Sequence, residues 1–299
     1  SQGELAYQEH LSRDREISFN SYISIIQKQE ESTIRQKDQG LVDFISKIPN
    51  LNLPRDLIRV DENHSINAKK IREWMHTDRG QQVLQRITAI TIVNKNLSSI
   101  PPEIELFTQL QHLDLSENKL RSIPAALGNL TQLQVLYLHT NKLQTIPDEL
   151  GNLIQLQQLC LHNNQLQTIP AALGNLILLQ ILDLGINQLK AIPEELGKLI
   201  NLKQLFLHTN QLESIPTTLR NLKLLQFLDL GYNRLKEIPD GLFEELTSLQ
   251  KLYLHNNQLG AIPAALGKLI QLLELDLRNN RLEYVAMELG NIPTLIKLC

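Results

Sequence analysis

Leucines that open a recurring unit stand at Leu110, Leu133, Leu156, Leu179, Leu202 and Leu225, each 23 residues after the last, and then at Leu249, Leu272 and Leu295. One interval, Leu225 to Leu249, is longer by a single residue. Between them the chain repeats L-x-x-L-x-L-x-x-N-x-L, as in LQHLDLSENKLRSIPAALGNLTQ from Leu110 to Gln132. A period of this length with this wording cannot close a compact globular core, because no single unit buries its own apolar face. Stacking does so, one thin layer on the next. The expected fold is therefore α/β: a right-handed curved solenoid with a parallel β-sheet on the concave side and short helices or turns on the convex side. A hydrophobic content of 42% with only 4% aromatics fits a core made of leucine and isoleucine layers.

Residues 1–86 do not follow the repeat and read as an α-helical N-terminal domain. Ile17, Phe19, Tyr22, Ile23 and Ile26 fall mostly three and four apart among charged residues, which predicts an amphipathic helix ending near Gly40. A second, short helix is predicted from Leu41 to Ile48, stopped by Pro49-Asn50, with a connector from Asn50 to Ser65. Ser65 reads as the N-cap of a helix bearing Ile66, Ile71, Trp74 and Met75 on one face, and a last helical turn or two follows in DRGQQVLQRI. Since an open stack exposes its first apolar layer, residues 66–86 are expected to cap it, with Trp74 against Ile87, Ile90 and Ile92.

The repeat domain is expected over 87–299, about nine units and a partial tenth. Its first unit has Lys95 where later ones have Asn118, Asn141, Asn164, Asn187, Asn210, Asn233, Asn257 and Asn280. An amide both donates and accepts, so an asparagine buried at each turn can satisfy backbone groups of adjacent layers. Ile-Pro pairs such as Ile123-Pro124 and Ile146-Pro147 suit the entry to a short convex helix, because proline fixes φ and lacks an N–H. The extra residue falls at Asp240-Gly241, where a bulge is expected; the ninth unit carries Val285-Ala286 in place of Ile-Pro, and no polar C-terminal cap is evident before Cys299. Gly128, Gly174 and their equivalents recur once per unit on the convex side, as packing residues.

Formal charge is −3, with 13 basic against 13 acidic residues up to Arg86 and 16 against 19 beyond it. That balance disfavours a nucleic-acid partner. No apolar run reaches the roughly 20 residues that span a bilayer. Two cysteines are too few for a disulfide framework, so a reducing compartment is expected: cytoplasmic, or secreted into a host cytosol.

Strand side chains alternate, which sends positions three, five, seven and eight of each unit to the concave face. Those positions carry His112, Asp114, Glu117, Tyr137, His139, Cys160, His162, Asp183, Phe206, His208, Asp229, Tyr232, Tyr253, His255 and Arg278, the candidate partner-binding residues. Units with an aromatic or cysteine at five carry histidine at seven; units with aspartate at five carry Ser, Gly or Arg there. Aromatics with a few charges match the composition of protein-binding surfaces, while duplication alone also copies such patterns. His139, Cys160, His162 and Asp183 have zinc-ligand chemistry, but histidines on parallel strands project side by side and do not converge, so neither a metal nor a cofactor is expected. No glycine-rich phosphate loop and no nucleophile motif is present. Cys160 beside His139 or His162 lacks anything to exclude water, and no enzymatic activity is expected.

The units resemble the 23-residue class of leucine-rich repeats of bacterial proteins and of intracellular eukaryotic scaffolds of Ras signalling. The segment IREWMHTDRGQQVLQRITAITIVNKNLSSIPPEI, residues 71–104, resembles the junction in leucine-rich-repeat proteins of chlamydia-like intracellular bacteria, where a short helical segment with a central tryptophan precedes a degenerate first repeat. The layout is also similar to secreted leucine-rich-repeat effectors of enteric pathogens, some of which append a ubiquitin-ligase domain that this chain lacks after its repeats. The resemblance implies an effector that acts on a host protein. The expected function is thus a non-catalytic scaffold binding a protein on its concave face. The alternative is an adaptor or dimerisation protein working through its N-terminal helices, with the repeats for targeting; an enzyme or metalloprotein is a third, weaker reading.

Overall fold

The computed structural model describes residues 27–49, 51, 54, 57, 64–283 and 292–299. Ten short parallel strands form one sheet in strict chain order: β1 (Ala89–Thr91), β2 (His112–Asp114), β3 (Val135–Tyr137), β4 (Gln158–Cys160), β5 (Ile181–Asp183), β6 (Gln204–Phe206), β7 (Phe227–Asp229), β8 (Lys251–Tyr253), β9 (Glu274–Asp276) and β10 (Lys297–Leu298). Registers follow the repeat, so each residue faces its equivalent in the next unit: Leu136 meets Leu159, and Tyr137 meets Cys160. From β2 to β8 the fourth position of each unit is buried and its neighbours at three and five are half-exposed, which is the alternation expected of a strand with one face on the core. The expected solenoid is therefore the observed one.

The opposite side is built of 3-10 turns of five residues, such as Ala125–Asn129 and Asp148–Asn152. Pro124 and Pro147 sit just before them, extended, at φ −70° and −74°. A side chain at the turn glycine would collide with the next layer: a Cβ on Gly151 would lie 2.4 Å from the Ala172 carbonyl oxygen. Arg220 occupies that position in its own unit, and the unit that follows is the lengthened one. There Gly241 takes φ +80° and the 3-10 turn shrinks to Leu242–Glu244, so the added residue and the side chain it accommodates belong to one local adjustment.

The asparagines form a continuous ladder. Asn164 Nδ2 donates to the carbonyls of Leu138 (3.0 Å) and Leu161 (2.9 Å), and its Oδ1 accepts from Leu143 N–H (3.0 Å). Each amide therefore ties its own turn to the layer before it. In the first unit, where Lys95 replaces the asparagine, the Lys95 N–H joins the usual Leu97 N–H on Asn118 Oδ1 of the next layer.

The N-terminal segment departs from expectation in two respects, at Gly40 and at Ser65. The predicted break at Gly40 is absent: a single helix, α1 (residues 27–46), runs through it. Gly40 is a contact glycine, where an added Cβ would meet Ser99 Oγ at 2.5 Å, so its small size serves close approach to the first repeat rather than helix termination. Residues 27–37 of α1 are exposed, but Leu41, Phe44, Ile45 and Ile48 are buried in the same core as the repeats. Helix α2 (His64–Met75) starts one residue before Ser65, which is therefore inside the helix and not its cap. Ile71, Trp74 and Met75 are buried in the shared core, together with Ile90 and Ile92, and Ile87 packs against it. The last turn, α3 (Asp78–Leu84), is capped by Thr77, whose hydroxyl accepts from Gly80 N–H. Arg72 ties these parts together, donating to Asp38 on α1 (2.5 Å) and to Glu103 of the first repeat. The predicted contributions of Ile17, Phe19, Tyr22, Ile23 and Ile26, the 50–63 connector apart from Leu51, Pro54 and Leu57, and the Val285-Ala286 variation lie outside the described residues. Among the described residues no helix is long and apolar enough to cross a membrane.

Candidate functional site

The solvent face of the sheet carries every sequence-nominated residue, and the structure gathers most of them into two clusters. In the first, Tyr137 meets His112 edge-on at 5.6 Å and donates its hydroxyl to Gln158 Oε1 at 2.6 Å. Tyr137 leads to His139 at 6.4 Å, and His139 stacks on His162 with centroids 4.5 Å apart and planes 6° from parallel. His162 Nδ1 lies 2.9 Å from Asp183 Oδ2, a close contact whose alignment is too poor for a hydrogen bond. Burial and the neighbouring His162 push the His139 pKa below that of an ordinary histidine, so His139 is neutral at pH 7. Parallel stacked rings aim their nitrogens alongside one another, and among the described residues no three His, Cys, Asp or Glu side chains converge on a point that could hold a metal.

The second cluster is larger. Phe206 packs on Phe227 at 4.8 Å, Phe227 meets Tyr253 edge-on at 5.3 Å, Tyr253 is 6.2 Å from His255, and Tyr232 meets His255 edge-on at 5.1 Å. Tyr253 donates to Glu274 Oε2 (2.7 Å), which Lys251 also reaches through Oε1 (2.9 Å). Burial, the Glu274 hydrogen bond and nearby acids push the Tyr253 phenol up to about 12. Arg278 holds Asp276 through both carboxylate oxygens, 3.0 and 2.6 Å, and lowers its pKa. A depression of about 250 Å³ opens between Tyr253, His255, Glu274, Asp276, Arg278 and Lys297.

Phe227, Gln158, Lys251 and Glu274 belong to these clusters and were not nominated from sequence. All stand at position three, the row of His112, which strand alternation sends to this face. Position eight behaves differently from the others. It sits at the rim in the left-handed region at every unit, including Glu117 (φ 56°), Ile186 (φ 52°) and Tyr232 (φ 53°). A β-branched residue there costs about 1 kcal/mol or more relative to Asn or Gly, yet Ile186 and Tyr232 are also 43% and 56% exposed.

The pairing of residues at five and seven has a packing cause. An aspartate at five accepts the N–H of position seven, as Asp183 Oδ1 does from Gly185 (3.0 Å) and Asp229 Oδ1 from Gly231 (2.9 Å). The glycine leaves room for the histidine of the next unit: a Cβ on Gly185 would be 2.5 Å from His208 Nε2, and one on Gly231 would be 2.4 Å from His255 Cε1. Alternate Asp-Gly and aromatic-His units therefore interlock, so the pattern has a structural component before any partner is considered.

Cys160 is half-exposed between the clusters, unpaired like Cys299. Burial, with Asp183 and Asp114 adding repulsion, pushes its pKa up to about 12. The thiolate is the nucleophile, so Cys160 is a poor one: at pH 8 alkylation by iodoacetamide is expected to be roughly 10- to 100-fold slower than in the urea-unfolded chain, after allowing for the greater intrinsic nucleophilicity of a high-pKa thiolate. Peptide mass mapping of a labelling time course reads this directly, and equal rates in the two states would contradict the shift.

Ten parallel strands in register, an asparagine ladder and 3-10 turns on the far side agree with the comparisons with known proteins. Models described as leucine-rich repeats match residues 84–191, 177–235 and 228–282. The chain belongs to the leucine-rich-repeat proteins. No curated protein matches this leucine-rich-repeat chain. Among solved structures, a leucine-rich-repeat protein of Leptospira interrogans superposes with a TM-score of 0.70 at 33% identity, over 75% of this chain and 57% of that one. The leucine-rich-repeat ectodomain of the Arabidopsis thaliana membrane receptor kinase GASSHO1/SCHENGEN3, in complex with Casparian strip integrity factor 2, gives 0.65 at 34% identity, over 72% of this chain and 27% of that one. A plant peptide hormone receptor in complex with its ligand gives 0.59 at 29%, over 74% and 41%. The chain thus spans little more than half of the Leptospira protein and less of the plant receptors.

Proposed function

We propose that this leucine-rich-repeat protein is a non-catalytic scaffold that binds a protein or peptide partner on the solvent face of its sheet. The observation that carries this reading is the pair of aromatic-histidine clusters on that face. Phe206, Phe227, Tyr253, Tyr137 and His139 are held by one another and by Gln158 and Glu274, so little side-chain freedom is left to lose when a partner covers them. The plant neighbours, a receptor ectodomain in complex with Casparian strip integrity factor 2 and a peptide hormone receptor in complex with RGF2, support it by analogy. The bacterial neighbour, with the resemblance of residues 71–104, favours the finer reading of a bacterial effector that meets a host protein.

Replacing Tyr137, Phe206 and Tyr253 together by alanine is expected to abolish recovery of partners that the unaltered chain captures from candidate host lysate, read by quantitative mass spectrometry. These side chains are only half-buried, so the circular dichroism melt should shift by a few degrees at most. Undiminished recovery by a folded triple variant would remove the sheet face as the binding surface.

A further inference from the structure

We propose that the segment bound by this face is extended and arginine-bearing, with a guanidinium seated over Phe206 between Asp183 and Asp229. This rests on the scaffold reading above and specifies its partner's chemistry.

The fifth positions of β5 to β9 run Asp183, Phe206, Asp229, Tyr253, Asp276, each directly opposite the next in register. Acid and aromatic alternate along a straight row. With strands about 4.8 Å apart, the carboxylates recur about every 10 Å, with a ring midway. A flat cation that stacks on a ring and forks to carboxylates fits such a row, and the guanidinium is the side-chain group with that shape and charge.

The last acid of the row already holds a guanidinium. Arg278, from position seven of its own unit, makes two hydrogen bonds to Asp276. In the units of Asp183 and Asp229 the same position holds Gly185 and Gly231, so neither unit supplies its own cation. Asp183 has the His162 ring beside it, and Asp229 accepts only the Gly231 N–H among the described residues. Burial raises the pKa of Asp229, as expected of a half-buried carboxylate without a full counter-charge.

Charge over the wider face agrees. At positions three, five, seven and eight from β2 to β7 and their following turns there are Asp114, Glu117, Asp183 and Asp229 and no lysine or arginine. On the rim of the same two Asp-Gly units stand Ile186 and Tyr232, exposed and in left-handed backbone that Asn or Gly would adopt at lower cost. Both flank the row where the aliphatic stem of an arginine and the residues beside it would lie. An extended chain in polyproline II conformation makes one turn in three residues and advances about 9 Å, so side chains three apart lie on one side and match the acid spacing.

The test uses a fluorescein-labelled peptide of repeated Gly-Ser-Arg triplets, with Gly-Ser-Lys and Gly-Ser-Glu peptides of equal length, titrated by fluorescence anisotropy against the full chain. The arginine peptide is expected to bind, the lysine peptide more weakly, and the glutamate peptide not at all, with affinity falling as salt rises. The Asp183→Asn, Asp229→Asn double variant should bind the arginine peptide at least tenfold more weakly. Asparagine retains the Oδ1 acceptor for Gly185 and Gly231, so this variant keeps its fold, which a thermal melt verifies. Absence of arginine-peptide binding at millimolar concentration, equal binding of the glutamate peptide, or unchanged binding by the double variant would each overturn the assignment. Partner recovery that still depends on Tyr137, Phe206 and Tyr253 would then leave the face as the binding surface and remove only its arginine specificity.

Discussion

Asn164→Ala is expected to destabilise the chain by about 4 kcal/mol, among the largest effects of any single substitution in the repeats. The side chain is buried, 8% exposed, and holds three backbone groups of two layers: the Leu143 N–H and the Leu138 and Leu161 carbonyls. Alanine leaves the Leu143 N–H without a partner, at about 1 to 3 kcal/mol, and takes one of two amide bonds from each carbonyl, since Leu138 keeps Asn141 Nδ2 and Leu161 keeps Asn187 Nδ2, at about 0.5 to 1.5 kcal/mol each. Asn164→Asp should be no milder, because a carboxylate cannot donate to the two carbonyls and is itself desolvated. The comparison that isolates the mechanism is Asn280→Ala at the far end of the ladder. Asn280 makes the same bonds but is only half-buried, so its loss is partly made good by solvent and should cost roughly half as much. Urea denaturation measures both, and native-state hydrogen exchange should place the Asn164 effect in β3 to β5. A loss below about 1 kcal/mol at Asn164 would mean that the ladder is incidental to stability.

The buried asparagine ladder is legible in the sequence because translational symmetry turns one unit's chemistry into the whole array's. The position of Asn118 in its unit, the alternation through Leu113 and Asp114, and the collision that Gly128 avoids all follow from period and residue type. What escaped sequence reading breaks the symmetry or runs between units. The Gly40 contact looked like a helix stop, since glycine is a poor helix former, and only the packing of Ser99 against it explains why the helix continues. Phe227 shares the row of His112 and is legible from strand alternation. The left-handed backbone at position eight has little signature where Thr140, Ile186 and Tyr232 occupy it, because stacking imposes a conformation that local preference opposes. The interlock of His208 over Gly185 joins positions 23 residues apart, and pairing of that kind within one sequence cannot be told from copied surface residues.

Removing residues 1–60 is expected to abolish the cooperative melt, whereas removing 1–37 should leave it nearly unchanged. The first truncation strips Leu41, Phe44, Ile45, Ile48 and Leu57, which are between 0% and 7% exposed and share one core with the repeats. At about 1.5 to 3 kcal/mol for each fully buried large apolar side chain, their loss amounts to roughly 10 kcal/mol, comparable with the entire stability of a typical domain. It also removes Asp38, leaving Arg72 with Glu103 alone, and bares the first apolar layer. The shorter truncation takes only exposed turns from the described part of α1. Differential scanning calorimetry of both truncations separates two roles for the N-terminal helix. If the 1–60 truncation melts within about 2 °C of the full chain, burial there contributes little and α1 is an appendage. If it collapses as expected, only the 1–37 truncation can test the adaptor alternative, because loss of partner recovery by an unfolded solenoid says nothing about which surface binds. Retained recovery by the 1–37 truncation would then assign binding to the repeats, and loss of recovery with an unchanged melt would assign it to the segment removed.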